Sequence, residues 1–191
     1  PAMRVSRGLA YNYLVDGRFE LAARTIGWVL EELERSPLRE QLRDLRLSAR
    51  SGRALAYYLQ DDLEEARAAC ASTYAMTVEA GNRTVRCTVA STLAHLHLLR
   101  GDYAEARRWA EESLEVAEAI GNAAGLVGPA AVILVCRNAL GEPLGAGRYV
   151  DLIGQGLPDG APPPMTVRFL AEALLVAGER ERAERHVVAM Y

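Results

Sequence analysis

The chain repeats one spaced pattern five times: a turn residue, an alanine five residues later, and a small or apolar residue seven earlier. The turn residues are Gly17, Asp61, Gly101, Gly141 and Gly178, separated by 44, 40, 40 and 37 residues. The downstream column is Ala22, Ala66, Ala106, Ala146 and Ala183; the upstream column is Ala10, Ala54, Ala94, Leu134 and Ala171. Small residues at fixed offsets around a turn let two helices approach closely. A recurrence of about this length is the mark of stacked helical hairpins, in which each unit buries its apolar face against its neighbours. Such architectures bind partners more often than they transform substrates.

The composition suits close helix packing. Half of the 191 residues are hydrophobic but only 6% are aromatic, so the core is built from Ala, Leu and Val. A net charge of -3 gives no general attraction to nucleic acid or an anionic membrane. The three cysteines, Cys70, Cys87 and Cys136, fit no disulfide framework or zinc spacing, and each lies in an apolar helical context. They read as small buried hydrophobes, with a reducing cytoplasm as the expected location. The longest weakly polar stretch, Ala123 to Val135, is too short to span a membrane, and no signal peptide opens the chain. The apolar run Val187 to Tyr191 is a poor capping surface, so a piece of a longer protein is expected.

Turn and stop residues divide the chain into hairpins. Repeat one pairs a helix of about Met3–Val15 with one of Phe19–Arg35, stopped by Pro37. Repeat two pairs a long helix, about Leu38–Leu59, with Leu63–Ala80. Asp61-Asp62 caps the second helix of that pair and Gly81-Asn82 ends it. Repeat three pairs Thr84–Leu99 with Tyr103–Ile120, ended by Gly121-Asn122. In repeat four a nearly all-apolar helix, Ala123–Ala139, precedes a glycine-weakened one, Leu144–Gly156. A proline-rich loop over 157–164 interrupts before repeat five, Met165–Val176 and Arg180–Met190. The repeats thus span about 3–36, 38–81, 83–121, 123–156 and 165–191 of a single expected domain, 1–191.

These columns resemble the tetratricopeptide (TPR) repeat, with its small residue, turn glycine and later alanine. Leu9, Leu93 and Leu170 match the position before the small column, and Tyr13 and Tyr57 the aromatic three residues after it. The stretch Leu98-Leu99-Arg100-Gly101-Asp102-Tyr103-Ala104-Glu105-Ala106-Arg107 is the most specific match. The motif's later alanine is replaced by Val29, Thr73, Ser113, Ile153 and Met190, and its early Trp and closing Pro are missing. The resemblance implies an all-α, right-handed α-solenoid of about five TPR-like hairpins. Long repeats closing on Ile-Gly-Asn are similar to the repeat regions of large bacterial transcription regulators of the maltose-activator type. They are also similar to repeats attached to some bacterial ATPases and cyclases. The resemblance therefore implies a regulatory module that holds a peptide, a protein segment or another domain of its own parent chain. No cofactor and no direct nucleic-acid or membrane contact is expected, and self-association through apolar helix faces is.

Catalytic signals are weak. No phosphate loop, nucleophile elbow or metalloprotease helix occurs. His95 and His97 are two residues apart on a helix, so their rings point about 200° apart and cannot share a metal. His186 stands alone, and Glu31-Glu32 and Glu111-Glu112 are adjacent rather than opposed across a cleft. An enzyme is not expected.

Two features stand out as binding surfaces. The resemblance places the concave groove of such repeats at Arg4, Arg7 and Tyr11; Ser48, Ser51, Leu55 and Tyr58; Thr88, Ser91, His95 and Leu98; Val135 and Asn138; and Arg168 and Glu172. Of these, Arg7, Tyr11, Ser51, Tyr58, Ser91, His95, Asn138 and Arg168 are the expected ligand contacts. The mixture of hydroxyls, aromatic edges and a few charges suits a peptide or small polar ligand. The second feature is a stripe of Arg39, Arg43, Arg46, Arg50 and Arg53, spaced 4, 3, 4 and 3, beside the apolar run Leu38, Leu42, Leu45, Ala49, Gly52, Ala56 and Leu59. It is either a face for an anionic partner or a set of internal ion pairs with Glu31, Glu32, Glu34, Glu64 or Glu65. Internal pairing is the favoured reading, because surface charges are mostly solvated.

Overall fold

All five turn residues of the repeat pattern adopt left-handed backbone. Their φ angles are +72° at Gly17, +64° at Asp61, +76° at Gly101, +68° at Gly141 and +83° at Gly178. Each closes its helix in the same way. The amide of the turn residue bonds the carbonyl three residues back, and the next amide bonds the carbonyl five back. Examples are Gly101 N to Leu98 O (3.0 Å) with Asp102 N to His97 O (3.0 Å), and Gly178 N to Leu175 O (3.0 Å) with Glu179 N to Leu174 O (2.8 Å). This double closure satisfies carbonyls that a helix end otherwise leaves open. Left-handed backbone is free of a Cβ clash only for glycine, which explains why four of the five anchors are Gly.

The computed structural model describes residues 12–14, 16–157 and 164–188. Among them the secondary structure is helical, without strands. The helices are α1 (Phe19–Arg35), α2 (Arg43–Leu59), α3 (Leu63–Ala80), α4 (Arg83–Leu99), α5 (Tyr103–Ile120), α6 (Val127–Ala139), α7 (Ala146–Gly156), α8 (Pro164–Val176) and α9 (Arg180–Val188). Residues 12–14 are also helical. The remainder of the expected first helix and the segment 158–163 lie outside the described residues.

Several helix starts differ from the sequence expectation, each for a local reason. Residues 37–42 form turns, and α2 begins at Arg43 rather than Leu38. There the Arg43 amide bonds Glu40 O at 3.2 Å, a tightened turn, and the Leu38 amide is taken by Ser36 Oγ. Ahead of α6, Ala123–Leu126 is a single 3₁₀ turn. Pro129 lacks an N–H and its ring would crowd the carbonyl four residues back, so it is tolerated only in the first turn of α6. Helix α7 begins at Ala146, because Gly145 is left-handed at φ +56°. Asp62 does sit at the N-cap of α3, but its side chain makes no capping hydrogen bond there, contrary to expectation.

The Gly-Asn pairs work in two steps. Gly81 and Gly121 end α3 and α5 in left-handed backbone, both at φ +66°. The following asparagine then starts the next element. Asn82 Oδ1 accepts the Val85 amide at 3.0 Å, and Asn122 Oδ1 accepts the Gly125 amide at 3.2 Å.

Contacts divide the chain into two compact units, Pro1–Val85 and Arg86–Tyr191. In the first, α1 packs on α2 and α2 on α3. Ile26, Val29, Leu30, Leu33 and Ala49 form one small core, and Leu14, Ala22 and Ala56 another. In the second, α6 is the centre and packs against α5, α7 and α8. Its residues Val127 to Cys136 are all buried. The small columns fill the helix contacts as the pattern requires: Ala22, Ala54, Ala66, Ala94, Ala106 and Ala183 are buried. Ala146 and Ala171 are only half-buried.

Candidate functional site

The expected groove residues divide by burial. In the first unit, Ser51 and Tyr58 are half-buried on α2. In the second, Ser91 on α4 is half-buried and Asn138 at the end of α6 is exposed. Arg4, Arg7 and Tyr11 lie outside the described residues. So does the side chain of Arg168, although its backbone lies in α8.

His95 does not belong to a solvent-facing set. It is fully buried, stacked on Phe169 with ring centroids 5.3 Å apart and planes at 16°. A methyl group added at Gly128 would come within 3.4 Å of the ring, so α6 closes over it. A side chain without accessible surface contributes packing rather than ligand contact. Burial in these apolar surroundings disfavours the imidazolium and lowers the His95 pKa to about 4. Leu98 and Val135 are likewise buried and drop out of the groove.

The arginine stripe divides in two. Arg39 precedes α2, pairs only loosely with Glu40 (3.9 Å), and is exposed, as is Arg43. Arg46 and Arg50 turn inward and share one carboxylate, Glu34 of α1, at 3.5 and 3.0 Å. The expected pairing with Glu34 therefore exists. Glu34 is 45% exposed, so these bonds are screened and each is worth about 1 kcal/mol or less. Arg53 follows one turn later and has no ion pair among the described residues. The Nε groups of Arg46, Arg50 and Arg53 are all buried without a hydrogen-bond acceptor. Between α1 and α2 lies a cleft of about 350 Å³, lined by Gly27, Leu30, Glu31, Glu34, Arg35, Arg50 and Arg53. Sequence reasoning overlooked Gly27. An interior helix glycine costs about 1 kcal/mol relative to alanine, and that cost was the available signal.

Elsewhere the charges pair with one another. Arg86 pairs with Glu112 and Arg107 with Glu142 in the second unit. Arg67–Glu64 and Arg108–Glu105 are exposed pairs along single helices. The cysteine thiols are buried, and desolvation raises Cys70 and Cys136 to about 12 and moves Cys87 upward. They stay protonated and behave as apolar side chains. His97 Nδ1 lies 3.5 Å from Asp102, away from His95. Among the described residues no group of His, Cys, Asp and Glu could hold a metal, and no helix is long and apolar enough to cross a membrane.

Two models of the tetratricopeptide repeat match the chain, one over residues 45–119 and one over 164–188. Two crystal structures show the nearly identical TPR-like repeats of a Podosopora anserina protein assigned as a kinesin light chain. Each superposes with a TM-score of 0.59 at 18% identity, over 98% and 97% of this chain and 92% of the other. The crystal structure of BtubC (BKLC) from P. vanneervenii gives a TM-score of 0.61 at 19% identity, over 95% of this chain and 78% of that one. No curated protein sequence matches the chain. TPR repeats generally mediate protein–protein interaction. With hairpins closed by the repeat's turn residues, packed on its small columns and matched by its family models, the chain is a TPR-like helical repeat protein.

Proposed function

We propose that the chain is a protein-binding regulatory module that holds a peptide or another domain of its parent chain. The observation that carries this reading is the burial pattern on α2, α4 and α6, the first helices of three hairpins. There Ala54, Ala94 and Leu134 are consumed by packing, while Ser51, Tyr58, Ser91 and Asn138 remain at least partly open. Hydroxyl, phenol and amide groups on rigid helices suit recognition of peptide backbone and polar side chains. TPR-like repeats are typically non-catalytic scaffolds, in keeping with the buried, protonated thiols.

The finer reading is that the chain is the regulatory domain of a bacterial transcription regulator. The long repeats closing on Gly81-Asn82 and Gly121-Asn122 support it. A scaffolding role beside an ATPase or cyclase is the competing outcome. The test uses the parent protein. Segments flanking this chain are purified separately and titrated into it by calorimetry. Saturable binding to a flanking segment, weakened at least tenfold by Tyr58→Ala with Asn138→Ala and without loss of melting temperature, is the expected result. Binding that survives both substitutions would move the interface to the second helices and favour scaffolding. No binding to any segment of the parent would overturn the reading.

A further inference from the structure

In the α1–α2 cleft, three guanidinium groups meet one carboxylate: Arg46 and Arg50 share Glu34, and Arg53 has no counterion among the described residues. Of the residues that line the cleft, Arg35, Arg50 and Arg53 face Glu31 and Glu34, an excess of one positive charge in a concave space. Arg53 lines the cleft without an ion pair among the described residues, and a carboxylate bound there would supply one. Leu30 and Gly27 supply the apolar part of the lining, and a Cβ built at Gly27 meets nothing within 4 Å. At about 350 Å³, the space lies at the small end of ligand pockets.

We propose that this cleft binds an aliphatic carboxylate, with the carboxylate on Arg50 and Arg53 and the methylene chain over Leu30 and Gly27. The chemistry of the rim selects this class. A planar guanidinium matches a carboxylate through two parallel N–H bonds. Glu31 and Glu34 also line the cleft, and their charge opposes a multiply charged anion such as phosphate more than a single carboxylate. Arg35 is already engaged by Glu31 and Glu32 at 3.4 and 3.2 Å, so it borders the site without joining it. The site does not depend on the groove: it needs no partner domain and uses neither Ser51 nor Tyr58.

The experiment follows backbone amide and arginine Nε resonances by NMR in the full chain. The probes are butyrate, a capped pentapeptide with one central glutamate, its glutamine counterpart, and inorganic phosphate. Saturable shifts at Gly27 and Arg53 are expected with butyrate or the glutamate peptide, with Kd in the millimolar range or tighter. Similar affinity for the two points to a free acid as the natural ligand; a tenfold preference for the peptide points to an acidic protein segment. Arg53→Gln should raise Kd at least fivefold. Gly27→Leu should abolish binding while keeping the fold, since leucine is the better helix former. Arg39→Gln is the control and should change nothing. Loss with Arg39→Gln equal to that with Arg53→Gln would show unspecific charge attraction and overturn the site. Tighter binding of phosphate, equal binding of the glutamine peptide, or the absence of saturable shifts would overturn it as well.

Discussion

Helices α2 and α6 occupy the same place in their hairpins, yet they meet opposite environments. Both lie immediately before a left-handed turn, at Asp61 and Gly141, and both carry a small or apolar residue seven positions earlier, Ala54 and Leu134. Helix α6 is buried without interruption from Val127 to Cys136. Helix α2 buries Leu47, Ala49, Ala54 and Ala56, and sets half-buried arginines among them. The repeat columns therefore fix where a helix turns and what it packs on. The residues between the columns fix whether its remaining face is covered. Accessible surface is therefore spread along helices like α2, whereas on α6 it is confined to the end, at Asn138, and the rest of that helix serves stability.

The largest effect that separates the two should come from truncating their leucines. Leu134→Ala should lower stability by about 3 kcal/mol, because a side chain enclosed on every side leaves a cavity. Leu45→Ala, at a half-buried position on α2, should cost about 1 kcal/mol. Denaturant titration measures both, and equal costs would break the contrast.

Acid should come next. His95 is neutral in the fold, with its pKa lowered from 6.5 to about 4. The unfolded chain takes up its proton first, so this contribution is fully present above pH 6.5 and is lost as pH falls toward 4. The loss should reach about 3 kcal/mol by pH 4. It should be missing from His95→Leu when the two proteins are compared across the same pH range, a difference that removes the shared titration of the carboxylates. Parallel curves would show that the ring is not held neutral beneath α6.

Turn substitutions test the shared part of the pattern and should act in opposite directions. Gly141→Ala places a Cβ on left-handed backbone and should cost 1–2 kcal/mol. Asp61→Gly relieves the one non-glycine left-handed residue among those described and should gain about 0.5 kcal/mol in melting experiments. The smallest change is expected from Glu34→Gln. It removes the negative charge shared by Arg46 and Arg50 and leaves one amide oxygen to accept, and the exposure of Glu34 keeps the cost below about 1 kcal/mol and reduces it further in high salt.

The hairpins were legible because their signals are local. Gly17, Gly101, Gly141 and Gly178 mark turns through backbone conformation alone, and Phe19–Arg35, Leu63–Ala80 and Tyr103–Ile120 begin and end where their stop residues place them. Helix starts were less legible where a competing local bond decided them, as at Ser36 and Pro129. The surfaces were harder to read, because burial depends on elements far apart in the chain. Nothing near His95 in sequence reveals that Phe169 covers it, 74 positions later. The division of the arginine stripe has the same origin. Arg46 and Arg50 find their acceptor on another helix, while Arg39 falls in turns that a period of 3.6 residues does not register.

The joints at Gly81-Asn82 and Gly121-Asn122 have an evolutionary corollary. In each, the bonds that shape the bend run from two neighbouring amino acids to nearby backbone groups, with the Asn82 side-chain amide donating in addition to Asp44 Oδ1 at 2.8 Å, so the bend is copied whenever that stretch of gene is duplicated. A lineage can then lengthen or shorten its array by whole units without designing a new corner each time, leaving the exposed sides of the copies free to diverge toward different targets.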